Sequence, residues 1–298
     1  MDAVALLQVG SAALLNLGFT WLVGTWFARR WLPAGRPISD WLVSLRRYDN
    51  AAIVVTIAAS AAALWAATAI MAGVPLGEAG NMFWTMLTTT AHGNAGCVAI
   101  AVMVLLLGVR CLGKDGRATE SLVLLLLVIF AATRASMGHA GEEGWWTAPH
   151  VAETVHLVAI AIWSGAVIVS AWPVLQPARV QELPRVATDH YLDRMSQAAM
   201  LAVIAIAATG IYSGWHRVGS AEHLVHTQYG YTLLTKVGLV LGAIALGGYN
   251  KFWGLPGAAR SATGVAVVRR VLQIEAVLLL GALAAAAYLT VQQPPAVM

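Results

Sequence analysis

The chain has 298 residues, of which 59% are hydrophobic and only 11% charged, and its mean hydropathy is +0.72. A soluble domain wets its surface with about 25% charged residues, so this composition excludes a soluble enzyme, a disordered tail and a nucleic-acid binder and leaves an integral membrane protein. The formal charge of +4 speaks to topology through its placement, not to an acidic partner through its sum.

About 20 apolar residues cross a bilayer core. Eight runs qualify in chain order: 4–27, 50–73, 82–109, 118–138, 150–173, 195–216, 230–251 and 270–291. The connections lack the alternating, turn-punctuated pattern of an outer-membrane barrel, so the spans are helices. The first run is too long for a cleaved signal peptide and lacks both a basic leading region and a small-residue cleavage site. Trp26, Trp31, Trp145, Trp146, Trp172, Trp215, Tyr229 and Trp253 stand near span ends, as interfacial anchors do. With no repeat and no low-complexity tract, residues 1–298 read as one integral membrane domain, an all-α bundle of eight transmembrane helices.

Basic residues set the expected orientation. Fifteen of the eighteen Lys and Arg residues fall on alternate connections, 28–49, 110–117, 174–194 and 251–270. Such asymmetry places those connections in the cytoplasm and both termini in the periplasm. The two cysteines, Cys97 and Cys111, share the third run. At about 1.5 Å of rise per residue they are about 21 Å apart, too far for a disulfide.

Seven of the eight histidines then lie at or toward the outer face: His92, His139, His150, His156, His216, His223 and His226. Imidazole is the commonest metal ligand and is costly in lipid when charged. Two readings stand, metal or haem ligands on one side of the membrane and polar anchors near the headgroups. His150, Glu153 and His156 step by three residues, about −60° each round a helix, and so share one face at the outer end of span 5. Glu153 also suits a helix N-terminus by its charge alone. Met137 and His139 end span 4 and reach the same arc across a short connection; thioether with imidazole suits Cu(I), imidazole with carboxylate Cu(II). His92, ten residues into the run 82–109, lies about 15 Å deep by helix rise, as an interhelical hydrogen bond, a deeper metal ligand or an axial haem ligand. Met82 and Met86, at i and i+4, stand above it as possible outer ligands or as core filler. His216, His223 and His226 offer a secondary capture site or simply a polar loop. Three charges stand inside spans: Arg134 and Lys236 toward the outer face, and Glu275 toward the inner one, which makes a direct Lys236–Glu275 pair awkward by depth.

Several stretches in order carry a family resemblance. "GHA" at 138–140 precedes "HLVAIAIWSG" at 156–165; "TGIYSGW" at 209–215 leads into "TQYGYTLLTKVGLVLGAIALGGYNKFWGLP" at 227–256, with Lys251 where Arg is usual; "RRVLQIEAVLLL" and "LTVQQPP" close the chain. The sequence resembles the copper-resistance D family of bacterial inner-membrane proteins over about residues 80–295, and over the first two spans by hydropathy only. The resemblance implies an eight-helix protein of the bacterial inner membrane that works with a periplasmic copper-binding protein and moves copper inward. His139, His156, Lys236 and Glu275 match the family pattern.

The expected function is therefore copper binding and transport or delivery across the cytoplasmic membrane. The expected metal residues are His92, Met137, His139, His150, Glu153 and His156. Without a P-loop or a phosphorylatable Asp motif, the chain reads as a passive or partner-driven carrier and not an enzyme. The alternative is a haem b electron carrier with paired imidazole ligands.

Overall fold

In the computed structural model the described residues are 1–32, 38–114, 116–138, 141, 144–218 and 226–292, of which 38–44, 214–218 and 262 are described by their backbone alone. Among the described residues there is no strand. The helices are α1 (Ala3–Trp31), α2 (Ile38–Ala72), a short α3 (Gly80–Thr89), α4 (Ala91–Leu112), α5 (Arg117–Ser136), α6 (Ala148–Val169), α7 (Pro177–Glu182), α8 (Arg185–Val218), α9 (Gln228–Tyr249), α10 (Leu255–Arg260) and α11 (Ala262–Leu289). α6 and α9 each run on into a π-turn, at Ser170–Val174 and Asn250–Gly254. Eight of these helices (α1, α2, α4, α5, α6, α8, α9 and α11) are long and apolar enough to cross a membrane. The side chains of Val54, Leu105, Leu125, Leu201, Leu241 and Val277 are exposed on the outside of the bundle. Water would not tolerate an apolar surface of this extent, whereas lipid tails solvate it.

α1 and α6 form the central pair. On one side α1 packs on α2, which packs on α4, and α4 on α5, around Phe19, Val23, Ile53, Met103, Leu106 and Phe130. On the other, α6 packs on α8 and α11, and α11 on α9, around Trp163, Val167, Tyr191, Leu192, Leu272 and Leu279. Between the two halves Gly24 of α1 meets Gly165 of α6: a Cβ on either would fall on the other's backbone. In lipid, close packing rather than water exclusion holds helices together, and small residues permit that approach. Gln8 Nε2 donates to the Thr290 carbonyl at 2.9 Å, which ties the start of α1 to the end of α11. The start of α1 and the end of α11 therefore lie at one end of the bundle, called here the terminal end.

Side-chain caps begin several helices. Asp2 accepts the Ala5 N–H at α1, Thr227 the Gly230 N–H at α9 and Ser261 the Gly264 N–H at α11. At the opposite end the basic residues satisfy helix carbonyls. Arg46 donates to the Arg110 carbonyl, Arg179 to Pro173 and Arg269 to Ala171, the last two relieving the π-turn that ends α6. Arg110 pairs with Glu120 at 2.7 Å and Arg29 with Asp49. Cations at helix C-termini meet both the dipole and unpaired carbonyls. These arginines thus have structural work beyond orienting the chain.

Two depths expected from sequence are corrected. The run 82–109 is not one helix: the chain breaks at Thr90, whose backbone is extended (φ −104°, ψ 146°) and whose Oγ1 accepts the Gly93 N–H at 2.9 Å. His92 lies in the first turn of α4, not ten residues down a span, and Met82 and Met86 belong to the separate α3. A Cβ at Gly93 would strike the backbone of Met86 and Leu87, so glycine lets α3 lie against the start of α4. Glu275, expected near the inner end of its span, stands midway along α11 because that helix begins at Ala262 and not near 270.

Candidate functional site

Toward the terminal end lie three of the imidazoles that the sequence singles out, His92 on α4 and His150 and His156 on α6, with α5 and α8 beside them. His92 Nδ1 lies 3.0 Å from the Met137 carbonyl, across the α4–α5 contact. A carbonyl only accepts, so Nδ1–H donates and, in the neutral ring, Nε2 carries the lone pair. This is the interhelical hydrogen bond among the alternatives weighed for His92. It brings His92 and Met137 together through Met137's backbone, at the point where α5 ends.

His150 occupies the first turn of α6, where Pro149 starts the helix, and is only 4% exposed. Its Nε2 donates to the Ala132 carbonyl of α5 at 3.1 Å. Nδ1 then holds the lone pair, and it is buried with no hydrogen-bond partner among the described residues. The Trp145 ring lies 5.2 Å from the imidazole and covers it. Its neighbour Trp146 has φ 66°, a left-handed conformation uncommon for a bulky residue.

His156, two turns further along α6, faces α8 instead. Its Nδ1 is 2.8 Å from Thr209 Oγ1. The Thr209 hydroxyl lies 2.7 Å from the Ala205 carbonyl of its own helix and donates its one proton there. The ring nitrogen must therefore donate to Oγ1, which in the neutral ring leaves the lone pair on Nε2. His150 and His156 share an arc of α6, yet α5 holds one and α8 the other. Among the described residues no three His, Cys, Asp or Glu side chains gather closely enough to hold one ion.

Glu153 acts electrostatically on Arg134 of α5, whose guanidinium donates to Asn16 Oδ1 of α1 at 3.1 Å. Asn16, Arg134 and Glu153 thus join three helices just below the imidazoles, and the carboxylate offsets a cation that lipid would not tolerate alone. His226 is exposed before α9. His139 and His223 lie outside the described residues, as does the side chain of His216, so the expected approach of His139 to His156 does too. Lys236 of α9 lines a small cleft with Trp163 and Leu279, and Trp163 Nε1 donates to Glu275 Oε1 at 2.9 Å. The two intramembrane charges therefore approach the same tryptophan, closer in depth than the sequence suggests.

Thr209, Asn16 and Trp163 are the residues that sequence reasoning missed. Asn16 was visible as a lone amide in an apolar run. Thr209 and Trp163 stand in the stretches that carry the family resemblance but the sequence assigns them no role, and only the helix pairings give them partners.

A polytopic helical bundle with oriented imidazoles at one end is the class that fold and site define. Residues 189–289 match the family described as copper resistance protein D, and residues 1–148 match the copper resistance protein D-like N-terminal domain. The chain belongs to the copper-resistance protein D family. It is 27% identical over 168 residues to the copper transport protein CutJ of Bacillus subtilis (strain 168), a match covering 54% of this chain and 30% of that protein. The chain thus spans under a third of the length of that relative. No solved structure matches it.

Proposed function

We propose that this protein carries or delivers copper across the bacterial inner membrane, taking the ion from a periplasmic copper-binding protein at the terminal end of the bundle. The observation that carries this reading is the orientation of three imidazoles, on His92, His150 and His156. Each has one ring nitrogen fixed by an oxygen of a neighbouring helix and the other bearing the lone pair. Metal-ligating histidines are held in this way, with the second nitrogen donating to a carbonyl or hydroxyl that sets tautomer and ring angle.

The substrate is copper, and the ligands are spread and not clustered. Cu(I) accepts few, soft or borderline donors, so the His92–Met137 pair, His150 and His156 serve as successive low-coordinate stations. His139 joins the first of these by sequence adjacency. His216, His223 and His226 form the capture region between α8 and α9, and Glu153 balances Arg134 and the arriving cation. Fifteen basic residues on alternate connections support a cytoplasmic placement of the opposite end, so that both termini and the imidazoles face the periplasm. Family membership and the match to a copper transport protein support the choice of copper.

The test is Cu(I) binding to the detergent-purified protein, by competition with a chromophoric chelator and by X-ray absorption. Nitrogen and sulfur neighbours are expected around copper, with sulfur lost in Met137→Leu and nitrogen reduced in His92→Ala and His156→Ala. No copper retained against the chelator, or a Soret band in the purified protein, contradicts the reading; the band would make the imidazoles haem ligands.

A further inference from the structure

We infer that Glu275 is a proton-binding site inside the bundle, holding a proton as a neutral acid and giving it up as a copper ion passes. The part concerning copper rests on the transport reading above.

The carboxyl is 2% exposed, midway along α11. Oε1 accepts the Trp163 indole N–H at 2.9 Å, whereas Oε2 is buried with no hydrogen-bond partner among the described residues. Gly247 of α9 packs against it with backbone and no side chain. An ionised carboxylate with one hydrogen bond and an unsatisfied oxygen in an apolar interior costs far more than a protonated one. No group among the described residues donates to Oε2, and a proton bound there removes the charge that this interior cannot offset.

The site lies in line with the imidazoles. His156 and Trp163 are seven residues apart on α6, two turns and nearly the same face, about 10.5 Å along the axis. Beside Trp163, chiefly between α6 and α11, opens a cleft lined by Ile160, Trp163, Leu279 and Leu283, with Ile206 of α8 and Lys236 of α9 at its sides. Ile206 is one turn from Thr209, the partner of His156, and Trp163 is the wall shared by cleft and carboxyl. On the far side, Asn250 of the α9 π-turn stands one turn beyond Gly247. It is 4% exposed, and both polar atoms of its amide lack hydrogen-bond partners among the described residues. Buried polar groups in this state are where transient water or ions are accommodated, and π-turns recur at functional sites.

The titratable and charged groups on the elements packed against α11 are few. α6 carries His150, Glu153 and His156 toward the terminal end; α9 carries Tyr229 and Tyr231 at its start, Lys236 on the cleft, and Tyr249 and Lys251 near its π-turn. α10 carries Arg260, and α1 carries Asp2, Arg29 and Arg30 at its ends. α11 itself carries Arg269, Arg270 and Tyr288. Trp163 is the one group among the described residues hydrogen-bonded to the carboxyl.

Charge conservation gives the coupling. Adding Cu(I) to this low-dielectric region brings one positive charge. Loss of one proton from Glu275 to water leaves a carboxylate that offsets it, and reprotonation follows once copper has left. The exchange is one proton per Cu(I).

Two measurements on protein reconstituted in vesicles test this. In copper-free infrared spectra, a protonated carboxylic-acid carbonyl band is expected at neutral pH. It should vanish in Glu275→Gln, an isostere of the neutral acid that keeps the Trp163 hydrogen bond, and shift in Trp163→Phe, which loses it. In vesicles loaded with a pH-sensitive dye, a Cu(I) pulse should move one proton per copper ion in the wild type and none in Glu275→Gln. Absence of a Glu275-dependent acid band, or equal proton movement in both proteins, overturns the inference. If wild-type vesicles admit no copper, the transport reading and its coupling fall together, while the infrared band still decides the proton site.

Discussion

Thr209→Val probes the orientation of His156 without changing the shape of the α6–α8 seam. Valine replaces the hydroxyl by a methyl of similar size, so α8 loses only the hydroxyl's back-bonds to Ala205 and Ile206, and His156 Nδ1–H loses the acceptor 2.8 Å away. Leaving a half-buried donor without that acceptor costs about 1–3 kcal/mol. The ring recovers part of this by rotating or by moving its proton to Nε2, which removes the lone pair needed for copper. Loss of a hydrogen bond that orients a ligating histidine typically lowers metal affinity about 10–100-fold, which is about 1.4–2.8 kcal/mol. Both routes give the same size of effect. The assay is Cu(I) competition against a chromophoric chelator on purified wild type, Thr209→Val and Thr209→Ser, with melting temperature recorded in parallel. Thr209→Ser should bind within a few-fold of wild type because it keeps the acceptor. Unchanged affinity in Thr209→Val, or equal losses in both variants, refutes the argument.

Gly24→Ala and Gly165→Ala should each lower stability by about 1–3 kcal/mol or more, because the new Cβ meets backbone that cannot rotate away; urea or thermal unfolding in detergent checks this, and wild-type midpoints would show that α1 and α6 can part freely. His156→Ala should abolish copper-dependent growth, whereas His223→Ala should only weaken it because His226 is nearby in sequence; equal losses at equal membrane levels would defeat the ranking. A reporter active only in the cytoplasm should be silent when fused to either terminus, and activity at either one would reverse the assigned orientation.

Hydropathy made the eight spans legible because each must be apolar through its middle, whatever it packs against. It could not give helix ends. α2 starts at Ile38, α8 at Arg185 and α11 at Ala262, all within polar, basic sequence where hydrogen-bonded helix continues past the apolar run. The error of depth for Glu275 follows from that. The break at Thr90 had a local sign, a threonine able to cap with Gly93 three residues on, but the apolar content on both sides masked it. At the site, residue spacing places His150, Glu153 and His156 on one arc of α6. It carried nothing about the neighbours, and the arc is divided between α5 and α8. Partners such as Thr209 for His156, or Trp163 for Glu275, are set by helix pairing over separations of 53 and 112 residues, and no local pattern encodes them.

Copper uptake into sealed vesicles tests the central claim most directly. Purified protein is reconstituted, Cu(I) is added outside under reducing conditions, and internal copper is followed with a trapped chromophoric chelator. The account predicts uptake that scales with the amount of protein, exceeds that of protein-free vesicles at least tenfold, and is lost in His156→Ala. Uptake equal to protein-free vesicles, or equal in wild type and His156→Ala, would contradict it.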